Sequence, residues 1–198
     1  YHCLSMNPIK SISLFLLFFF TLMLCNGQKN STPSASRQKN SDGLKLAKFR
    51  KHFWDSLPKP INWTNDFEGL YTDAQEEELN NIIGSFEKET TVQLCIVTID
   101  TMHTTKDQFD KLALHIANTW GVGQKGKNNG VTICISRGYR RIRICNGYGI
   151  SDILSDSETK KIIDNNFIPG FKEGKYFEGT LDGINALIDI LRHKLNPG

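Results

Sequence analysis

The sequence predicts an α/β protein, a three-layer α/β/α sandwich around a small mixed central sheet. Three observations point there. VQLCIVTI, Val92 to Ile99, is a continuous apolar run rich in β-branched residues, the pattern of a strand covered on both faces. VTICIS (Val131 to Ser136) and RRIRICN (Arg140 to Asn146), separated by RGY, read as two strands of a tight hairpin. Apolar residues at helical spacing stand before, between and after these strands, giving the order helix, strand, helix, strand, strand, helix, helix with no internal repeat.

Taken from the N-terminus, the first element is not part of that sandwich. Met6 to Lys10 precede SISLFLLFFFTLML, whose apolar core Leu14 to Leu24 is 11 residues long. Spanning about 30 Å of hydrocarbon takes roughly 20 helical residues, so residues 1–27 read as a cleavable secretory signal cut after Gly27. Cys25, just after LML, offers a competing reading as a lipidated cysteine. The expectation is an exported protein, periplasmic or secreted, with membrane attachment as the variant.

Between Gln28 and Phe53 seven basic residues face Asp42 alone, whereas residues 54–198 hold 16 basic and 20 acidic residues. Residues 28–56 therefore read as a flexible basic tether, a solvated linker or a segment lying on an anionic membrane surface. The acidic remainder argues against nucleic acid as a partner. After cleavage Cys95, Cys134 and Cys145 remain, all in apolar runs where a free thiol packs as a small hydrophobe. Their odd count argues against a disulfide framework.

The domain itself is expected over 57–195. Pro58 and Pro60 stiffen an extended lead-in, and Thr72 with Gln75 forms a capping box for a helix from Asp73 to Lys88. Leu79, Ile82, Ile83 and Phe86 supply its buried stripe, and Glu76 to Glu78 suit the positive end of the helix dipole. Phe109, Leu112, Ala113, Ile116 and Trp120 mark a second helix. Arg141 and Arg143 alternate with Ile142 and Ile144, which suits a charged edge strand. Ser155 with Glu158 caps a helix carrying Ile162 and Ile163 that is expected to stop before Pro169. Phe177, Leu181, Ile184, Ile188 and Leu191 line the last helix.

GVGQKGKNNG, Gly121 to Gly130, matches the spacing of a dinucleotide-binding turn and most of a phosphate-binding loop. Both motifs must follow a strand and open a helix, because the free N–H groups of a helix N-terminus hold the phosphate. Here the glycines leave a helix and enter a strand, so no nucleotide cofactor is expected and the segment reads as a turn. The antiparallel hairpin then sets Asn128 to Gly130 beside Gly147 to Ile150, so that two Gly-rich segments meet at one edge of the sheet.

Several ordered stretches, LPKP with WTNDFEGLY, EKETT before VQLCIVTI, WGVGQKGKNNGV, RIRICNGYG, LSD, FIPGF and YFEGTLDGINALI, make the chain resemble the TPM domain family over about Leu57 to Leu191. That resemblance implies an exported or membrane-anchored α/β/α domain, with phosphatase activity and calcium or magnesium binding in some members and assembly or repair of membrane complexes in others. Carried over, the family's polar site falls on Asp66, Asn128, Ser151, Asp152 and Asp156. Two positions depart from the pattern: Asn128 stands where a DNG acid is usual, and Ser151 where a Glu follows GYG and an apolar residue. Hard cations accept neutral oxygens but bind less tightly as carboxylates are removed. One reading is a metal-assisted phosphatase-like enzyme with a weak Ca2+ or Mg2+ site, its catalytic residues not identified. The other is a non-catalytic interaction or assembly module for a membrane-associated protein complex, acting as a monomer.

Overall fold

A computed structural model describes residues 35–196; the signal, lipidation and early tether readings lie outside the described residues. Four strands form one sheet in the order β1 (Thr64–Asp66), β2 (Gln93–Thr98), β3 (Gly130–Ser136), β4 (Arg141–Asn146). The first three run parallel and β4 returns antiparallel at the edge, as the hairpin predicts.

Side-chain alternation along the strands makes the layers. Leu94, Ile96, Val131, Ile133 and Ile135 point to a core closed by α2 (Asp73–Thr90) and α7 (Tyr176–Leu195). Cys95, Val97 and Cys134 point the other way, onto Phe109, Leu112, Ala113 and Ile116 of α3 (Phe109–Trp120). The fold is the expected sandwich, and each apolar side chain it buries contributes about 1.5–3 kcal/mol relative to exposure. Both predicted capping boxes are present, Thr72 with Gln75 and Ser155 with Glu158.

Two segments differ from the sequence reading. The helix capped by Ser155, α5 (Asp156–Ile162), does not stop before Pro169. It widens into a π-helical stretch, Ile163–Phe167, and continues as α6 (Ile168–Lys172), with Pro169 in the first turn of that helix. Proline lacks the N–H and crowds the preceding turn, and the wider π-helical turn just before it is where the continuous helix makes room for the ring. Phe167, fully buried, packs its ring against Gly183, where a Cβ would lie 2.2 Å from a ring carbon.

The second difference is the tether. Residues Ala35–Asp55 form a helix, α1, where a flexible segment is expected. Its last turns dock onto the domain: Phe53 is buried, its ring 4.3 Å from that of His103 and 5.9 Å from that of Phe67. Arg50 donates to the Thr101 carbonyl at 2.8 Å, and Trp54 stacks on His115 at 4.3 Å. Leu46, Phe49 and Phe53 recur at helical spacing, a stripe that the surrounding charge obscures in the sequence.

Candidate functional site

The residues singled out by sequence fall at opposite ends of the sheet, and the two ends are built differently. At the first, the glycine-rich loop leaves α3 through Gly121 in the left-handed conformation (φ 62°), its N–H donating to the Ala117 carbonyl. Asn129 is buried and ties the loop down. Its side-chain oxygen accepts from the Gln124 N–H at 2.8 Å, and its amide nitrogen donates to the Thr91 carbonyl at 2.7 Å.

The end of β4 is stitched to this loop by its backbone. Gly147 N–H donates to the Gly130 carbonyl at 2.8 Å, and Gly149 N–H to the Asn128 carbonyl at 3.1 Å. A Cβ on Gly147 would lie 2.2 Å from the Asn128 oxygen, so only glycine permits the approach. Right after it comes a single helical turn, α4 (Tyr148–Ser151). The side chains on this edge face water: Asn128, Ser151, Asp152 and Asp156 are exposed, and Tyr148 is 84% exposed. Asp156 opens α5 one turn ahead of Thr159, whose hydroxyl accepts from Asn146 at the end of β4 at 3.1 Å.

At the other end, polar groups turn inward. One Asp66 carboxylate oxygen accepts from the Thr98 hydroxyl and the other from the Tyr71 N–H at 2.9 Å. Thr98 in turn accepts from the Glu68 N–H at 2.8 Å. The Glu68 carboxylate accepts from the N–H groups of Arg137 and Gly138 at 2.7 and 2.8 Å and so clamps the β3–β4 turn. Burial pushes the Glu68 carboxyl up from its ordinary range, against the pull of those two amides. Beneath them the Tyr71 hydroxyl meets that of Thr180 at 2.9 Å, and burial raises the phenol far above its usual value.

Strand register fixes the distance between the two ends. Asp66 stands opposite Thr98, whereas Gly130 stands opposite Gln93 at the far end of β2, about 17 Å away at strand rise. The structure therefore brings Asn128, Ser151 and Asp152 to one edge, with Asp156 at the same end, and does not bring Asp66 to them. Among the described residues no group of three or more His, Cys, Asp or Glu is gathered as a metal site would require. Sequence reasoning missed β1, the clamp by Glu68, the tie through Asn129 and the exposure of Tyr148. A three-residue strand and single polar residues in loops carry no periodic signal.

A family model described as the TPM domain matches residues 64–190. Among solved structures, the chain is similar to the N-terminal domain of a protein from P. gingivalis, at 30% identity and TM-score 0.61, covering 68% of this chain and 84% of that one. It is also similar to the BA42 protein from the psychrophilic bacterium Bizionia argentinensis, at 22% identity and TM-score 0.56, covering 65% and 86%. A third likeness, to the N-terminal domain of the cg2496 protein from Corynebacterium glutamicum, has 11% identity and TM-score 0.51 over 68% and 83%. None of the curated proteins matches the chain. Helix α1 lies before the matched residues.

Proposed function

The chain belongs to the TPM domain family, and from that premise we propose that it works as a non-catalytic interaction module whose loop edge, Lys127 to Gly130 together with Gly147 to Asp152, docks onto a membrane-associated protein complex after export. The observation that carries this reading is the division between the two sheet ends. Asp66 has both carboxylate oxygens engaged internally, while the loop edge holds a rigid, glycine-stitched backbone that displays Tyr148. An exposed tyrosine on a preformed scaffold supplies contact area at little entropic cost, which is why tyrosine is enriched among residues that dominate interfaces. The apolar run Leu14 to Leu24 supports export.

The cation reading takes a reduced form in this geometry. Without Asp66, a Ca2+ or Mg2+ site at the edge draws on Asp152, with Asp156 nearby, and on the neutral oxygens of Asn128 and Ser151. Calcium takes six to eight oxygens, and its affinity follows the number of charged ones. Fewer charged ligands weaken the hold on an ion, which favours the non-catalytic reading.

Calcium and magnesium titrations of the melting temperature, run beside hydrolysis of p-nitrophenyl phosphate, separate the two readings. The parent is expected to show no metal-dependent turnover, whereas Asn128→Asp with Ser151→Glu gains a calcium-dependent rise in melting temperature. Saturating such a site at 100 times its dissociation constant is worth about 2.7 kcal/mol. Adding Asp66→Asn to the double variant leaves the calcium rise unchanged. Metal-dependent turnover by the parent would restore the enzyme reading.

A further inference from the structure

Helix α1 is the part of the fold for which neither the sandwich nor the loop edge gives a use. Its described contacts with the domain lie in its last turns, and from Gln38 to Phe49 every side chain is exposed except Leu46, which is half-buried. The anchoring contacts run from His115, under Trp54, to Thr101 and His103, beside Arg50 and Phe49. Thr101 follows the C-terminal end of β2, so the exposed turns of α1 project beyond the sheet end opposite to Tyr148.

The exposed surface of α1 is basic with an apolar insert. Its side chains from Gln38 onward include Lys39, Lys45, Lys48, Arg50 and Lys51 against Asp42 and Asp55, ahead of residues 56–198, which are net acidic. Leu44, 59% exposed, falls on the same face as Lys48 and Lys51, four and seven residues on. The pairs Lys45 to Asp42 (3.8 Å) and Lys51 to Asp55 (2.6 Å) are solvent-exposed, and such pairs contribute little and are readily exchanged. No described helix is long and apolar enough to cross a membrane.

We propose that the outer face of α1 is an interfacial helix that seats the domain on an anionic lipid surface, with Lys45, Lys48 and Lys51 at the headgroups and Leu44 entering between them. Lysines close to a negatively charged leaflet are attracted cumulatively, and the attraction fades within a Debye length. The acidic domain is repelled by the same surface, so the bound state is oriented: α1 faces the lipid and the Tyr148 edge faces away from it.

The test is co-sedimentation of the full chain with phosphatidylcholine vesicles, with and without about one third phosphatidylglycerol. The apolar run Leu14 to Leu24 contributes alike to every variant, so the readout is the gain from anionic lipid. The parent is expected to partition at least about tenfold better into anionic vesicles, with the gain lost at high salt. Lys45→Glu with Lys48→Glu and Lys51→Glu abolishes the gain, and the same three positions changed to Arg retain it. Equal partition of the parent into both vesicle types, or a gain that survives charge reversal, overturns the proposal. Equal partition combined with salt-sensitive binding to polyglutamate would assign the basic face to an acidic protein surface instead.

Discussion

The two ends of the central sheet use polar residues in opposite ways. At the Asp66 end, carboxylates and hydroxyls satisfy one another and the backbone: Asp66 with Thr98 and Tyr71, Glu68 with Arg137 and Gly138, Tyr71 with Thr180. At the loop edge the backbone satisfies itself through Gly130, Gly147 and Gly149, the exposed Ser151 hydroxyl donates to the Gly147 carbonyl at 3.2 Å, and the side chains of Asn128, Tyr148 and Asp152 face solvent. An acid that looks like a ligand in a motif can be a structural latch, and a loop that looks like a cradle can be a platform. Substitutions at the first end should therefore cost stability, and side-chain substitutions at the second should cost binding.

The largest expected effect comes from a change that breaks the platform's backbone. A Cβ on Gly130 would lie 2.0 Å from the Val122 carbonyl oxygen, so Gly130→Ala must displace main chain at the start of β3. A loss of about 3 kcal/mol is expected in urea unfolding, in the range of forced overpacking. A smaller loss sharpens the contrast at the other end. Asp66→Ala leaves the Thr98 hydroxyl and the Tyr71 N–H without their acceptor, which should cost about 2 kcal/mol in the same measurement.

A third effect belongs to the docking of α1. His103 is half-buried against the rings of Phe49, Phe53 and Phe67. Desolvation lowers its pKa, against a smaller opposing pull from Asp100. The unfolded chain then takes up the proton at higher pH than the folded one does. Stability is full above the ordinary histidine pKa of about 6.5 and falls as pH drops through it toward the folded value. Melting temperatures across that range should show the decline, and His103→Phe should flatten it.

Much of the fold was legible because it is periodic. Val92 to Ile99 announces β2 by an unbroken apolar run, Thr72 with Gln75 and Ser155 with Glu158 announce helix starts by a local hydrogen-bond pattern, and the alternation of Arg141 to Ile144 announces an edge strand. The meeting of Asn128 with Gly149 follows from antiparallel pairing alone. What was not legible depends on distant partners. Asp66 is placed by pairing with Thr98, far along the chain, and nothing near it in sequence says that it lies a strand length from Asn128. Likewise α1 is held by Phe53 against His103 and Arg50 on Thr101, contacts that composition hides behind its charge.

The central claim is that the loop edge binds and the Asp66 end supports. Its most direct test is quantitative capture from detergent-solubilised membranes of the source cells, comparing the parent, Tyr148→Ala and Asp66→Ala below the melting temperature of each. Tyr148 is 84% exposed, and truncating an exposed side chain away from any structural feature changes stability by no more than about 0.5 kcal/mol. The account predicts that Tyr148→Ala melts with the parent and loses the proteins captured by it, whereas Asp66→Ala melts earlier and still captures them. Full capture by Tyr148→Ala, with capture lost in folded Asp66→Ala, would contradict it and place the functional surface at the opposite end of the sheet.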